Sequence, residues 1–74
     1  MSLTGAWATA DGNLRIDFKA DGTFEENLGG TTYDGRYTVA GSMLTLTTSS
    51  GITTDGTIAT DHLQISTYEL RRAS

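Results

Sequence analysis

Four short stretches of this chain repeat one pattern, Asp-Gly-x-apolar: D-G-N-L at 11–14, D-G-T-F at 21–24, D-G-R-Y at 34–37 and D-G-T-I at 55–58. A related A-G-S-M occupies 40–43. Asp-Gly suits a type I′ hairpin turn, whose two central residues both need positive φ. An apolar residue two places after the glycine then restarts an inward face. Successive signals lie 10, 13 and 21 residues apart, which is one strand plus turn, or two. These units are too short and too dissimilar for a solenoid, so the pattern describes a meander.

Between the signals, apolar and polar residues alternate. Leu14, Ile16 and Phe18 fall on one parity, with Arg15, Asp17 and Lys19 on the other. Tyr37 and Val39 alternate with Arg36 and Thr38, Leu44 and Leu46 with Thr45 and Thr47, and Leu63 and Ile65 with Gln64 and Ser66. Each segment reads as a half-buried strand with one polar face, and no window carries the i, i+3, i+4, i+7 apolar pattern of a helix. Seven strands are expected, over 3–9, 14–19, 23–28, 32–39, 43–48, 52–59 and 62–71. Gly56 marks a bulge or a second tight turn in the sixth. In the last, Leu63 and Ile65 have odd parity but Tyr68 and Leu70 even parity, and a bulge near Ser66–Thr67 brings both pairs to the core. Seven antiparallel strands with short turns predict an all-β fold, a single domain over residues 1–74, closed into a small barrel or half-barrel.

Fourteen threonines and nine glycines fit strands and turns, and hydrophobic residues make up only 36% of the chain. At 74 residues the core is small, so tight turns, closed sheet edges or self-association must support it. With no cysteine and one histidine, disulfides and thiolate–zinc sites are excluded and a His-based triad lacks material. A net charge of −4, with basic residues scattered except for Arg71–Arg72, argues against nucleic acid or anionic membranes as partners. No apolar run approaches the ~18 residues of a spanning helix. Met1-Ser2-Leu3 leads straight into polar sequence without a signal-peptide core, and the compartment stays open.

The first strand adds a family signal. L-T-G-A-W (Leu3–Trp7) resembles the Gly-x-Trp opening of lipocalins, fatty-acid-binding proteins and avidins, the calycin group. F-K-A-D-G-T-F followed by G-R-Y-T-V-A-G-S-M-L-T-L is similar to small bacterial lipocalin-like domains. The resemblance covers nearly the whole chain and implies a lipocalin-like barrel. It also implies an arginine from the last strand lying over the tryptophan, for which Arg72 shares parity with Tyr68 and Leu70. Full lipocalins are about twice this length and carry a helix after the barrel, and avidins place further tryptophans in their biotin pocket; this chain has one.

The acid-rich stretch D-F-K-A-D-G-T-F-E-E (17–26) invites two chemical readings that its spacing rejects. As an EF-hand loop it places Lys19 at position 3 and Leu28 at position 12, where oxygen ligands are required. As a catalytic pair, Asp17 and Glu25 lie on the outer face, where solvent screens the pKa shifts that acid catalysis needs. His62, after Asp61 in a turn, reads as a solvated residue. Glu26 shares the parity of Phe24 and Leu28. The expected outcome is that a twist at the strand end, or a bulge that reverses the parity, turns it into solvent; held inward instead, it would anchor a ligand beside Tyr33 or Tyr37.

The aromatic residues Trp7, Phe18, Phe24, Tyr33 and Tyr37 either line a pocket or fill the core. A barrel of seven short strands encloses less than the eight that just hold one small ligand, so a filled core is expected. The chain is thus expected to be a non-enzymatic binding module for a small apolar or amphipathic ligand, seated at an open end or between subunits and needing no cofactor. Trp7, Phe24, Tyr33 and Tyr37 would form its walls, with Glu26 or Arg72 orienting the ligand. The alternative is a structural or protein-interaction domain acting through a sheet edge or a homo-oligomer interface.

Overall fold

Eight strands follow one another in sequence order around a closed antiparallel barrel in the computed structural model, which describes residues 3–73. They are β1 (Gly5–Ala8), β2 (Leu14–Phe18), β3 (Thr23–Leu28), β4 (Thr31–Ala40), β5 (Met43–Thr48), β6 (Thr53–Ile58), β7 (Leu63–Ile65) and β8 (Tyr68–Arg72). Each pairs with the next, and β8 returns to β1 through Trp7↔Arg72 and Ala8↔Arg71. Closure leaves no continuous free sheet edge, which so small a core needs.

The all-β meander read from the alternation is the observed fold, with one strand more than expected. The segment 62–71 divides into β7 and β8 at Ser66–Thr67. Ile65 pairs with Tyr68 across these two residues, and Ser66 has φ of 55°. A hairpin in place of a bulge resolves the parity change: Leu63↔Leu70 and Ile65↔Tyr68 all face inward.

The Asp-Gly signals divide into two kinds. At Asp21–Gly22 the chain does turn, but through a three-residue loop: Lys19 N–H donates to Thr23 O, and Gly22 N–H to Lys19 O. The left-handed Gly22 (φ 89°) closes it, as in the type I turn plus bulge of longer hairpins. Asp11–Gly12 turns in a loop one residue longer, closed by Thr9 N–H donating to Leu14 O, with Gly12 N–H again donating to the carbonyl three residues back, Thr9 O. Asp34–Gly35 and Asp55–Gly56, by contrast, lie inside β4 and β6. Gly56 is neither bulge nor turn; it pairs regularly with Leu44 on one side and Ile65 on the other. Both glycines answer to close backbone approach. A Cβ on Gly35 would sit 2.0 Å from Thr47 O, and one on Gly56 2.9 Å from Gln64 O and Ile65 Cγ1. Strands closing so tight a barrel must bend sharply, and glycine is the residue that permits it.

The interior is packed with side chains. Trp7, Leu14, Ile16, Phe18, Phe24, Leu44, Leu63 and Leu70 are all fully buried, and among the described residues no polar or charged one is buried with them. One mouth of the barrel gathers residues 3–4 and 73 with the loops 19–22, 41–42 and 59–62; the opposite mouth carries the loops 9–13, 29–30, 49–52 and 66–67. The longest strand, β4, spans both. Its residues 31–34 pair only with β3 and residues 38–40 only with β5. Tyr33 and Val39 therefore sit on the inward parity where the barrel is least covered, and are 38% and 47% exposed.

Candidate functional site

The expected site residues do not form one pocket. Trp7 and Phe24 are within the packed core, each 1% exposed. The Trp7 indole N–H donates to Leu3 O at 2.9 Å. The Arg72 guanidinium lies 4.6 Å from the centre of the Trp7 ring, and its Nη1 donates to Thr4 O at 3.0 Å. These four residues join the first and last strands of the barrel.

Tyr37 and Val39 meet a different partner set at the mouth that holds residues 3–4. There Leu3, Tyr37, Val39 and Ile58 form an apolar groove of about 520 Å³, rimmed by Ser42 and Thr60. Tyr37 is held on two sides. Its ring meets Phe18 edge-on at 4.9 Å, and its hydroxyl donates to Lys19 O at 2.8 Å. A wall fixed in this way loses little conformational freedom when a ligand docks. The sequence reading did not single out Leu3, Val39 and Ile58 as site residues. For Val39 the signal was available, since it shares Tyr37's parity beyond the strand's central glycine.

Tyr33 and Glu26 occupy the opposite mouth. They are direct cross-strand partners, and Glu26 pairs on its other side with Ile16. Glu26 keeps the parity of Phe24 and stays half-buried; no twist carries it out to solvent. Burial raises its carboxyl above the ordinary value of 4.5, because desolvation disfavours the charged form.

The remaining acids are engaged at the surface. Asp17 and Glu25 are cross-strand neighbours on the outer face, but Asp17 faces Arg15 at 3.6 Å and Glu25 pairs with Lys19. Asp21 accepts from the Thr23 hydroxyl at 2.6 Å and the Thr23 N–H at 3.0 Å, and these bonds hold its carboxyl below the usual range. Asp61 is lowered in the same direction, first by its hydrogen bond with His62 Nδ1 at 2.8 Å. Among the described residues no three His, Cys, Asp or Glu side chains gather where a metal could bind. A larger groove of about 710 Å³ runs over the outer side of the Gly35 bend. Its polar groups largely serve one another, as in the Lys19–Glu25 ion pair and the hydrogen bond from Ser49 Oγ to Asp34 at 2.9 Å. The apolar mouth is the better candidate, because Val39 remains 47% exposed there beside the half-buried Tyr37 and Ile58.

Comparison with known proteins agrees with the architecture. The solution structure of Atu4866 from Agrobacterium tumefaciens superposes with a TM-score of 0.83 at 28% sequence identity, covering 100% of this chain and 98% of that one. No curated protein matches the sequence. The family model described as Agrobacterium tumefaciens protein Atu4866 matches residues 1–72, and the chain belongs to that family.

Proposed function

We propose that the chain is a non-enzymatic binding module that takes a small apolar or amphipathic ligand at a mouth of the barrel, not along its axis. The observation that carries this reading is Val39, 47% exposed on the inward parity of β4, beside the half-buried Tyr37 and Ile58. Barrel mouths are recurrent ligand sites, lined mostly by apolar side chains with a few polar groups that fix orientation. Here Ser42 and Thr60 supply the hydroxyls. The lipocalin-like resemblance supports binding of this kind, and the packed core accounts for its displacement to the rim. No catalytic role is assigned, since the half-exposed Asp17 and the exposed Glu25 are each ion-paired on the outer face. The test is fluorescence titration with N-phenyl-1-naphthylamine. Val39→Asp, at an exposed position, should leave the far-UV circular dichroism unchanged and weaken binding about tenfold, the cost of placing a charge against an apolar ligand. Equal affinity for the two proteins would overturn the reading.

A specific observation favours a second reading. Met43 is 48% exposed at the start of β5, where it pairs with the exposed Ala40 on the outer face of the β4–β5 hairpin. A docking face here for a second copy of the chain would cover Met43 and Ala40. Sedimentation that shows a dimer, dissociated by Met43→Asp, would favour it over the ligand.

A further inference from the structure

The mouth opposite the apolar groove presents the one carboxylate without a partner among the described residues. Nine acids occur in the sequence, and eight have a partner. Asp11 accepts from Asn13 N–H and the Thr9 hydroxyl; Asp21 bonds Thr23; Asp34 takes Ser49 and Asp55 takes Thr45. Asp17 pairs with Arg15, Glu25 with Lys19, and Asp61 and Glu69 with Arg71. Glu26 alone has no hydrogen-bond or ion-pair partner among the described residues. It is also the one acid on the inward parity, placed in register between the fully buried Ile16 and the exposed Tyr33. A half-buried carboxylate beside apolar surface is costly unless something answers it.

We propose that Glu26, Tyr33 and Leu28 form a second site, for an organic ammonium with a short aliphatic arm. The carboxylate supplies the counter-charge, and the neighbouring Tyr33 ring offers a face to the cation. The arm lies along Leu28, which packs against the core. An anionic ligand is excluded by the sign of Glu26. A metal ion is excluded because one carboxylate without further His, Asp or Glu ligands does not make a coordination sphere. The raised affinity of Glu26 for its proton agrees with a desolvated, unanswered carboxylate. This site is independent of the apolar groove, since Tyr33 and Val39 lie six residues apart along β4, toward opposite mouths of the barrel.

The test is amide chemical-shift titration with n-hexylammonium chloride, with n-hexanol as the neutral probe of equal length. Hexylammonium should shift amides 26–33, and Glu26→Gln should weaken that binding about tenfold, the scale of one lost charge-assisted hydrogen bond. Tyr33→Leu, which keeps an apolar side chain, should weaken it by a smaller factor. Absence of shifts in 26–33, or equal hexylammonium affinity for the Glu26→Gln protein, would overturn the proposal. Hexanol shifts at 37–43 and 58–60 report the other mouth, so the two sites stand or fall separately.

Discussion

Arg72 lies with its guanidinium 4.6 Å from the centre of the Trp7 ring, so the last strand of the barrel is clasped to the first by a cation over an indole. The same guanidinium donates to Thr4 O, and Trp7 donates to Leu3 O, which ties the segment before β1 to the closure. Gly5 faces this contact, where a Cβ would come within 3.2 Å of Arg72 Nη1.

Trp7→Ala should therefore destabilise the fold by about 3–5 kcal/mol, the usual cost of removing a buried large aromatic. Arg72→Ala should cost about 0.5–2 kcal/mol, the range of a cation–π contact. Urea unfolding followed by far-UV circular dichroism checks both, since Trp7 is the only tryptophan fluorophore. A Trp7→Ala loss below about 1 kcal/mol, well short of the core-aromatic range, would show that Trp7 does not anchor the core.

Gly35→Ala should be more damaging than its size suggests. The new Cβ would fall 2.0 Å from Thr47 O, a backbone atom of a paired strand that cannot rotate away. A loss of about 3 kcal/mol is expected, at the upper end of overpacking. Gly12→Ala meets no atom within 4 Å and pays only for its positive φ, about 1–2 kcal/mol. Thermal unfolding of the pair should reproduce that order; the reverse order would contradict the bend at Gly35.

Ser66→Gly should stabilise the protein by up to about 1 kcal/mol, because a non-glycine residue in the left-handed region is strained. Ser66, at φ 55°, is the first of two turn residues between Ile65 and Tyr68, a place where glycine is favoured. A lower melting temperature for the variant would contradict this account of the β7–β8 turn.

Glu26 gives a pH dependence of defined sign. Its folded-state pKa is raised above 4.5 by burial, so the folded chain holds the proton more tightly than the unfolded one. Stability is then lost as pH rises from about the unfolded value through the raised folded value, and the deficit persists at neutral pH. Glu26→Gln removes that ionisation. The variant should be more stable than the parent at pH 7, and the difference should vanish at a pH below both values. Denaturant unfolding at the two pH values measures it; an advantage that is larger in acid would contradict the sign.

Much of the fold was legible because the inward parity of each strand had to be apolar for so small a core to close. Leu14, Ile16, Phe18, Leu44, Leu46, Leu63, Ile65 and Leu70, taken from alternation alone, are all buried. The turns were less legible, since Asp-Gly carries two meanings that local sequence does not separate. At Gly22 the glycine meets a loop's need for positive φ, whereas at Gly35 it makes room for Thr47, a residue twelve positions away. Ser66–Thr67 lacks any glycine, so the last hairpin passed for a bulge. The site residues were legible by parity but not by position. Tyr33, Tyr37 and Val39 share one face of β4, yet the strand passes from one mouth to the other, so Tyr33 and Val39 serve opposite ends.

Methyl NMR titration with a small neutral hydrocarbon probe, benzene, tests the central claim most directly. A packed barrel that binds at its mouth predicts shifts at the Val39 and Ile58 methyls, with those of Leu44, Leu63 and Leu70 unmoved. Shifts at the three core leucines, or none at Val39 and Ile58, would contradict it.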